Sequence, residues 1–524
     1  MYVLSAAQMQ GLDAFAMAQG MPSLVLMERA VVSMAAVLWQ RIQQQQGFEP
    51  RAVRGSRRVF IFCGPGNNGG DGLALARLLC DAHWETAGFQ VEVCQVFAEK
   101  ASPENRQQQN MLQHLPVIRH TLTPEWLQTM PCLNAQDVVI DAVFGVGQTR
   151  AVEGIVAELF DLLNSSPALR VALDVPSGLH TDTGEVLGTP FAAQLTLSCA
   201  FLKYVHGADQ ALAYVGEVQT VSIGIPEPWV SQYRGTSAWM HVLSPAEGPQ
   251  CLAPFLPQRL PTAHKGSQGR LGLFVGSPGM AGAAILSFQG ALESGPGYVF
   301  GYTHQDLVMA LVPQLPEVQL QKFPAPGELP ACLKTLDVAL LGPGLGRSQE
   351  AVALCHGIFD TACDLQVPLV IDADALFALN TWLATTELSL PQGTVITPHP
   401  GEAAALLNWT TAQVQADRFA ALQALVAKVG CDVVLKGACT LIALGGTFYM
   451  NFTGNAGLAR GGAGDVLAGL LAGLMPQSKA AAPLAVYWHG LTADHVAAKY
   501  GVQGVRIQRL LTHLAEVWPS LCVR

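Results

Sequence analysis

The sequence predicts an α/β protein of two domains, and three observations lead to this prediction. The chain has 524 residues, which is more than one ordinary domain holds. Short apolar runs alternate with helical patterns twice, over residues 57–223 and again from residue 270 onward; this alternation is typical of a parallel sheet with helices on both faces. Residues 225–262 are rich in proline and lack sustained periodicity, so we place the domain boundary there.

The two series predict their elements in order. In the first, helical segments at 5–46 precede strands at 57–63, 90–97, 137–141, 169–174, 195–199 and 218–223, with helices near 70–80, 103–114 and 151–164. In the second, strands lie near 270–275, 337–341, 368–371, 394–397, 432–435 and 440–444, and alanine-rich helices close the chain. The halves share an architecture without a residue-level repeat, so we expect two different α/β domains.

The composition favours a reduced cytoplasmic protein. The net charge of −10 argues against a nucleic-acid or anionic-membrane partner. The 12 cysteines form no C-x-x-C pair and are typical of reduced core thiols. The N-terminus lacks the pattern of a signal peptide, and Glu28 and Arg29 interrupt the most apolar early segment. We therefore expect no membrane span.

The stretch "GPGNNGGDG" (Gly64–Gly72) places a glycine turn between an apolar strand and a helix. Its G-x-G-x-x-G spacing suits a phosphate at a helix N-terminus, and the absence of a following Lys-Ser/Thr excludes a Walker loop. The dinucleotide fingerprint also requires an acid at the end of the next strand. Glu92 falls inside that strand and Glu99 beyond it, so a tight turn without a ligand stays an alternative.

The side chains of this loop and of two later strand ends favour a site. Asn67, Asn68 and Asp71 offer oxygens that suit a cation or a ribose rather than a phosphate. Asp141 ends one later strand, and Asp174 followed by Ser177 ends another. The carboxyl ends of strands in an open α/β sheet are where ligands bind, so we expect these groups to converge, although a helix N-cap is an alternative for Asp71 or Ser177.

The order of "LMERA", "GPGNNGGDG", "DAVFGVG", "DVPSGLHTDTG" and "CAFLK" resembles the NAD(P)H-hydrate epimerase domain, a Rossmann-like doubly wound sheet, over residues 1–225. The resemblance implies interconversion of the R and S epimers of C6-hydrated NADH or NADPH. It implies potassium at Asn68, Asp141 and Ser177. The substrate contacts that it implies are Asn67, Asn68, Gly69, Gly70, Asp71, Gly145, Val146, Gly147, Gln148, Thr149, Arg150, Ala151 and Asp174.

Lys203 matches the lysine that this family carries after the sixth strand. Moving the C6 hydroxyl between faces requires loss and readdition of water at an iminium-like carbon. An acid–base pair such as Asp174 and Lys203 can move those protons, so we interpret both as catalytic. A solvated surface lysine is the alternative for Lys203.

A second glycine loop, "RGGAGD", leads into the apolar helix "VLAGLLAGL". Backbone N–H groups of Gly462, Ala463 and Gly464 can form an anion hole for a phosphoryl group, and Asp465 can take a proton from an attacking hydroxyl. A helix cap is the alternative for Asp465. Upstream strand ends offer further groups: Gly342, Gly344, Gly346, Asp372, Asp374, His399, Glu402, Lys436 and Gly437.

The order of "HKGSQGRLGLFVGSPGMAGAAILS", "GPGLG", "DADAL", "TPHPGE", "LKG" and "GNAGLARGGAGDVLAG" resembles the nucleotide-dependent NAD(P)H-hydrate dehydratase, a ribokinase-like α/β fold. The resemblance implies phosphorylation of the C6 hydroxyl of the S hydrate, with Mg²⁺, and elimination of phosphate. It implies hydrate contacts at Ala283, Gly344, His399 and Asp465, with Asp465 as general base. The adenine-nucleotide contacts that it implies are Lys436, Gly437, Ala438, Cys439, Thr440 and Gly464. Ala463 departs from the family's usual threonine.

The two resemblances predict one bifunctional repair enzyme, with an epimerase domain at 1–225, a linker at 226–244 and a dehydratase domain at 245–524. Fusion in one chain resembles the bacterial form, which implies ADP rather than ATP. Two alternatives stay open at this point: a ribokinase-like small-molecule kinase fused to a non-catalytic Rossmann-like binding module, and a first half that serves as a scaffold. We expect a homo-oligomer. Helices near 464–475 and 479–498 carry small residues, which suit packing within the domain as well as packing between subunits.

Overall fold

The structure, a computed structural model, describes residues 1–44, 57–97, 101–235 and 239–521. It divides into an N-terminal unit, Tyr2–Trp239, and a C-terminal unit, Met240–Arg524 together with Met1. The predicted linker 226–244 holds the helix Glu227–Arg234 and the strand Met240–Leu243, so most of its described part is regular structure. Glu99 lies outside the described residues.

The N-terminal unit is built on a seven-stranded sheet in which every neighbouring pair is parallel. The seven strands of this sheet are β2 (Arg57–Cys63), β3 (Phe89–Gln95), β4 (Ile118–Thr121), β5 (Val138–Ala142), β6 (Leu169–Leu173), β7 (Leu195–Cys199) and β9 (Glu217–Val221). Two further strands of the unit, β1 (Tyr2–Leu4) and β8 (Leu202–Lys203), pair with each other outside this sheet. Its helices are α1 (Ala6–Ala18), α2 (Ser23–Gln43), α3 (Asn67–Leu78), α4 (Ala82–Thr86), α5 (Pro103–Met111), α6 (Pro124–Thr129), α7 (Ile155–Asn164), α8 (Leu212–Val215) and α9 (Glu227–Arg234).

In the strand order β4-β3-β2-β5-β6-β7-β9, the chain first adds strands on one side of β2 and then, from β5 onward, on the other side. The switch point between the two directions of addition lies between β2 and β5. Such a reversal opens a crevice at the carboxyl ends of the two strands, which is where doubly wound sheets bind ligands. The loop Gly64–Gly66 follows β2 and the loop after Ala142 follows β5, and Gly64 N donates to Ala142 O at 3.0 Å. The predicted residues of the first half therefore meet at this crevice.

The C-terminal unit contains ten described strands in the order β13-β12-β11-β14-β15-β16-β17-β18-β19-β10. These are β10 (Met240–Leu243), β11 (Arg270–Phe274), β12 (Tyr298–Thr303), β13 (Val318–Lys322), β14 (Val338–Leu341), β15 (Leu369–Ile371), β16 (Val395–Ile396), β17 (Asp432–Leu435), β18 (Thr440–Leu444) and β19 (Thr447–Asn451). Strands β11–β17 are parallel, whereas β18 is antiparallel to both β17 and β19.

Helices cover both faces of this sheet. They are α10 (Gly248–Leu252), α11 (Ala281–Glu293), α12 (Gln305–Leu311), α13 (Leu329–Leu333), α14 (Gln349–Leu365), α15 (Asp374–Leu383), α16 (Pro400–Leu407), α17 (Thr411–Ala416), α18 (Arg418–Val429), α19 (Ala463–Leu474), α20 (Ala481–Tyr500) and α21 (Ile507–Leu521). Helix α19 packs against α11, where Cβ atoms at Gly290 and Gly469 would fall 2.4 Å and 2.1 Å from carbonyl oxygens of the opposite helix. The two-domain α/β class predicted from the sequence is confirmed.

Helix α2 is long and apolar enough to cross a membrane by length and composition alone. In the structure, one face of the helix packs into the core of the N-terminal unit. The buried residues on that face are Leu26, Met27, Ala30, Val31, Met34, Leu38 and Ile42. Burial of this kind is typical of a core helix in a globular domain.

Candidate active sites

The glycines of "GPGNNGGDG" let three backbone segments pack closely. Helix α3 begins at Asn67 after Gly66. A Cβ at Gly64 would lie 1.9 Å from Val143 O, and one at Gly69 would lie 1.9 Å from Gly64 O. A Cβ at Gly72 would meet the Cβ of Ala142 at 2.7 Å. Close packing of helix, turn and strands therefore explains these glycines, and it leaves the helix N-terminus open toward the crevice.

A buried asparagine that the sequence analysis did not single out holds the turn. The Nδ2 of Asn105 donates to the carbonyls of Gly64 and Gly66, each at 3.0 Å. Ser102, on the same segment, donates from Oγ to Oδ1 of Asn67 at 2.7 Å. These bonds fix the loop before any ligand arrives, because each satisfies a polar group of the turn.

Asn68, Asp141 and Ser177 lie together below the crevice. Asp141 accepts hydrogen bonds from the Oγ and the N of Ser177, both at 2.7 Å. Burial raises the pKa of Asp141 to about 6, against the effect of the Ser177 hydrogen bonds. Asn68 donates from Nδ2 to Phe144 O at 2.8 Å, and Phe144 N donates to Ser177 Oγ at 2.9 Å. The three predicted potassium ligands are thus one connected cluster.

The oxygen of Asn68 indicates what this cluster can hold. Its Oδ1 is buried and has no hydrogen-bond partner among the residues described. A buried amide oxygen without a partner costs free energy unless a ligand satisfies it. Asn68 Oδ1 and the buried carboxylate of Asp141, which are linked through Phe144 and Ser177, are hard oxygen donors of the kind that suit a cation. The cluster fits the implied potassium ion.

Asp174 and Lys203 form an ion pair at the end of the crevice. Lys203 donates from Nζ to Oδ1 of Asp174, to Ser198 Oγ at 3.1 Å and to Cys199 O at 2.8 Å. The Lys203 side chain is 0% exposed, so the alternative of a solvated surface lysine is wrong. Asp174 has φ of +65°, which is rare for a residue with a Cβ and marks a strained functional position.

His206 hydrogen-bonds to the backbone of both residues of this pair. Its Nδ1 accepts from Lys203 N at 3.0 Å and its Nε2 donates to Asp174 O at 3.1 Å. Burial, with the nearby Lys203 charge, lowers the pKa of His206 to about 3. A neutral imidazole with both nitrogens occupied is a fixed brace, so His206 sets the backbone positions of both charged residues.

The cleft above these groups has a volume of about 560 Å³. Its walls include Asn67, Asn68, Asp71, Asp174 and residues 145–148. Asp71 lies within α3 and does not cap it, and Ser177 lies outside the helices, so the N-cap alternatives for both are wrong. The wall also includes Asp13 of α1, which the sequence analysis missed because a single acid in an amphipathic helix carries no motif.

Of the other predicted residues of the first half, Gln148 is on the wall of the cleft, whereas Gly69, Gly70, Thr149, Arg150 and Ala151 are not. Gly69 and Gly70 face the protein interior, against Gly64 and Met27. Gln148 donates to Arg150 O at 3.1 Å and accepts from Gly178 N at 2.8 Å, so its amide braces the loop. Thr149 and Ala151 continue the same loop.

In the C-terminal unit, the second glycine loop leads into α19 as predicted. Gly462 has φ of +97° and precedes the first helical residue, Ala463. Asp465 lies in the first turn and makes no side-chain cap, so the helix-cap alternative is wrong. Burial, followed by repulsion from Asp372, raises the pKa of Asp465 to about 6. A carboxyl that titrates near neutral pH suits general-base chemistry.

Lys436 lies beside this loop with two carboxylates. It donates from Nζ to Asp372 Oδ1 at 2.7 Å, and Glu402 Oε2 lies 3.8 Å away. Burial alone would lower the pKa of Lys436, but the neighbouring carboxylates outweigh it and raise the pKa. A Cβ at Gly464 would lie 3.6 Å from Lys436 Nζ. The lysine charge therefore lies at the anion-binding end of α19.

A buried arginine, missed in the sequence, shapes the predicted nucleotide loop 436–440. Arg418 donates to Cys439 O at 2.8 Å and to Leu435 O and Lys436 O at 3.2 Å. Its guanidinium would lie 2.2 Å from a Cβ at Gly437, so this position requires glycine. Ala438 is exposed, Cys439 is buried, and Thr440 Oγ1 donates to Gly437 O at 3.2 Å.

Ala283 and Gly344 are neighbours. Gly344 has φ of +64°, and a Cβ there would lie 3.0 Å from the Cβ of Ala283. Asp374 holds the same loop, because it accepts from Gly346 N at 2.9 Å and from Arg347 Nε at 3.1 Å. Asp374 is therefore a loop anchor.

His399 precedes α16 and caps it. Its Nδ1 accepts from Gly401 N at 3.0 Å, while Glu402 Oε2 accepts from His399 N at 2.8 Å. The side chain is 57% exposed. The capping bond fixes the ring, and its Nε2 lies 3.5 Å from Glu402 Oε1.

A cavity of about 700 Å³ adjoins the Gly344 loop. Leu345, Gly346 and Arg347 contribute to its wall, opposite Phe323 and Pro324. The predicted contacts Ala283, Gly344, His399 and Asp465 are not part of that wall. The predicted contacts and this apolar cavity thus adjoin at the Gly344 loop but are separate.

Comparison with known proteins agrees with both halves. Residues 271–516 match the family model for NAD(P)H-hydrate dehydratase, and residues 23–205 match the model for the YjeF-related protein N-terminus. The chain is 34% identical to the bifunctional NAD(P)H-hydrate repair enzyme Nnr of Moorella thermoacetica, over 99% of this chain and 97% of the relative. It is 32% identical to the enzyme of that name from Escherichia coli K12, over 88% and 85%.

One similar solved structure is the ADP/ATP-dependent NAD(P)H-hydrate dehydratase from Bacillus subtilis, co-crystallised with ATP and Mg²⁺. It is 28% identical with a TM-score of 0.47, over 54% of this chain and 99% of that chain. The relatives that align with nearly the full chain decide the assignment. The chain belongs to the family of bifunctional NAD(P)H-hydrate repair enzymes, with an epimerase domain and a dehydratase domain.

Proposed function

We propose that the cleft of the N-terminal unit epimerises the hydrated dinucleotide at C6 through Asp174. The observation that carries this proposal is the strained Asp174, which lines the cleft while a fully buried Lys203 holds its carboxylate. The carboxylate stabilises the iminium-like ring and exchanges protons with the departing or incoming water. Lys203 does not line the cleft, so it acts as a positioning residue through Asp174.

Potassium belongs to the same proposal. Asn68 Oδ1 and the Asp141 carboxylate would hold the ion, with Ser177 orienting that carboxylate. A bound cation supplies positive charge below the loop that carries Asn67 and Gly66. The ion would partly neutralise the negative charge of Asp141 and so favour binding of the negatively charged pyrophosphate of the dinucleotide to the same loop.

The C-terminal unit transfers a phosphoryl group to the S hydrate in this proposal. Asp465 removes the proton from the C6 hydroxyl, and the oxygen attacks the terminal phosphorus of the nucleotide as the bridging P–O bond breaks. The C6–O bond then breaks, phosphate leaves, and loss of a C5 proton forms the C5=C6 double bond. Lys436 and the N-terminus of α19 stabilise the phosphoryl charge.

The proposal also assigns the phosphoryl donor, the Mg²⁺ ligands and the residues that contact the hydrate. Residues 436–440 and Gly464 would bind the nucleotide, with ADP preferred to ATP. Mg²⁺ shields phosphate charge when bound, and the carboxylates of Asp372 and Glu402 offer oxygen ligands for it. Ala283, Gly344 and His399 Nε2 would contact the hydrate. We further propose that the enzyme is cytoplasmic and forms homo-oligomers.

One assay tests both halves. The full chain is given acid-prepared NADH hydrate with K⁺, Mg²⁺ and ADP, and recovery of NADH is followed at its characteristic absorbance. Recovery of both epimers with release of free phosphate supports the proposal. Recovery of the S fraction alone, at the uncatalysed rate of epimer exchange, contradicts the epimerase. A stable phosphate ester without recovered NADH would instead indicate an ordinary kinase.

A further inference from the structure

Asp13 lies on α1, a helix without any of the sequence motifs described above, and it lines the cleft of the N-terminal unit. It lines the same cavity as Asp71 and Asp174. Its Oδ1 is buried and accepts no hydrogen bond from the part of the chain that the structure describes. The match to the N-terminal family model begins at residue 23, after this helix.

The pKa of Asp13 is raised, as expected of a carboxyl group that exchanges protons during a reaction. Burial, and next the carboxylate of Asp174, together raise the pKa of Asp13 to about 6, against the opposing charge of Lys203. Burial also raises the pKa of Asp71, to which Asp174 and Asp13 add repulsion. A carboxyl buried without a partner destabilises the fold, and such groups concentrate at functional sites.

Epimerisation needs an acid–base group for each face of the ring. A hydroxyl leaves from one face and water adds to the other, so one group must donate a proton while another accepts one. Lys203 is enclosed behind Asp174 and cannot supply the second group. We infer that Asp13 is the second acid–base residue of the epimerisation, acting with Asp174 on the same substrate; this rests on the proposed function of the cleft.

Protons pass between Asp13, the substrate and Asp174 during the reaction. The protonated carboxyl of Asp13 gives its proton to the C6 hydroxyl, the C6–O bond breaks, and water leaves as the N1 lone pair forms the N1=C6 iminium. A water on the other face adds to C6, the π electrons return to N1, and Asp174 takes the released proton. Exchange with solvent through the open cleft returns the proton to Asp13. The reverse direction uses the same groups with exchanged roles.

The test is Asp13→Asn in the full chain with K⁺, with Gln19→Ala as the matched control, because Gln19 is exposed at the end of the same helix and does not line the cleft. Exchange between separated R and S hydrates is measured by chromatography. We expect Asp13→Asn to slow exchange about 100-fold or more, to leave ADP-dependent repair of the S epimer intact, and to melt at a higher temperature at pH 7.5. Asp13→Glu restores part of the exchange.

Different results would contradict the role of Asp13 and the proposed epimerase function. If Asp13→Asn exchanges epimers within threefold of the unchanged protein, the assignment of Asp13 is wrong. If the unchanged protein itself does not accelerate exchange, the proposed epimerase function fails first. A lower melting temperature for Asp13→Asn would indicate a structural role and would also overturn the inference.

A different observation carries a second proposal, in the C-terminal unit. His495 of α20 and His513 and Glu516 of α21 present ligand atoms that lie within 4.8 Å of one another. Glu516 Oε2 lies 3.6 Å from His495 Nε2 and 3.8 Å from His513 Nε2. His495 and Glu516 are about half exposed, so an ion can reach them from solvent.

The tautomer of His513 is fixed for metal binding. Its Nδ1 donates to Arg509 O at 2.8 Å, which leaves a lone pair on Nε2. The side chain is 8% exposed, and Nε2 is buried without a hydrogen-bond partner among the described residues. A backbone carbonyl on one ring nitrogen and a free lone pair on the other is the usual arrangement of a ligating histidine.

We propose that these three side chains bind a divalent transition-metal ion of the zinc class. Two imidazole nitrogens and one carboxylate oxygen leave a fourth, solvent-facing position. The ion would join α20 to α21. The test adds Co²⁺ to metal-free full chain and follows its visible absorption, with Zn²⁺ in competition, for His495→Ala, Glu516→Gln and the exposed control His114→Ala.

We expect the unchanged chain and His114→Ala to give the same Co²⁺ band, and the two site variants to bind more than tenfold more weakly. Equal binding by all the variants contradicts the proposal. A near-ultraviolet sulfur-to-cobalt band would indicate a cysteine site instead, and would also overturn it.

Discussion

Lys436 Nζ donates to Asp372 Oδ1 at 2.7 Å directly beside the glycine loop that begins α19. The pair connects the ends of β17 and β15 and brings one positive charge to a helix N-terminus. Of the predicted anion-hole groups, Ala463 N donates to Arg460 O at 3.3 Å. A phosphoryl group at this point would therefore meet the lysine and the N-terminal turn of α19.

Lys436→Met is expected to lower kcat/KM for the nucleotide about 100-fold or more, because it removes the fixed cation at the phosphoryl site. The measurement is NADH recovery from the S hydrate at varied ADP. Lys479→Met, at an exposed lysine of the same unit, is the control. Equal effects of the two variants would contradict a role of Lys436 in the site.

Dehydration is expected to rise with pH through about 6 and then to level, because the pKa of Asp465 is about 6 and a general base works when ionised. Below that pH, Asp465 binds a proton and cannot accept another. Asp465→Ala is expected to abolish recovery while epimer exchange continues. A variant that still repairs the S hydrate would show that another group is the base.

Asp174→Ala is expected to have the reverse effect. Exchange between epimers falls to the uncatalysed rate, and repair of the S epimer continues in the C-terminal unit. Chromatography of the two hydrates without nucleotide measures the first quantity, and NADH recovery measures the second. Unchanged exchange in this variant would refute the assignment of Asp174.

Epimerisation is expected to depend on K⁺, and Asn68→Ala is expected to weaken that dependence, because Asn68 Oδ1 offers a ligand with no other partner among the described residues. Exchange rates are compared in K⁺ and in a bulky organic cation at equal ionic strength. Ser102→Ala is the control, since it loses a hydrogen bond of the same loop outside the ion cluster. Identical K⁺ curves for all three proteins would argue against the site.

Gly72→Ala is expected to destabilise the N-terminal unit by about 1 to 3 kcal/mol, because a new methyl group overpacks a tight helix–sheet contact. The added Cβ would lie 2.7 Å from the Cβ of Ala142 and 2.9 Å from Cys63 Sγ. Gly66→Ser is the control, since a Cβ at Gly66 has open space around it. Urea unfolding followed by fluorescence measures both; equal stability of the two variants would contradict close packing at Gly72.

Local patterns in the sequence predicted many of the buried strands but missed β1, β4, β8, β10, β12, β13 and β19, of which β10 and β19 are largely buried. The prediction 57–63 coincides with β2, and 432–435 coincides with β17. The missed strands β4 and β13 lie at sheet edges and are largely exposed, so their sequences lack apolar runs. The missed strand β12 contains Gly301, where a Cβ would press on the Phe288 ring at 2.7 Å. A strand that is not buried, or is interrupted by glycine, gives little signal.

The sequence by itself determined the α/β class, the order of the motifs and the strand ends that carry Asp141, Asp174, Lys436 and Asp465. These follow from local patterning, because each motif adjoins its own strand. The tertiary structure decided which distant groups meet: Asp13 beside Asp174, Lys203 enclosed behind it, and Asn105 and Arg418 holding the two loops. Such contacts join segments far apart in the chain, and their positions depend on how helices pack on the sheet.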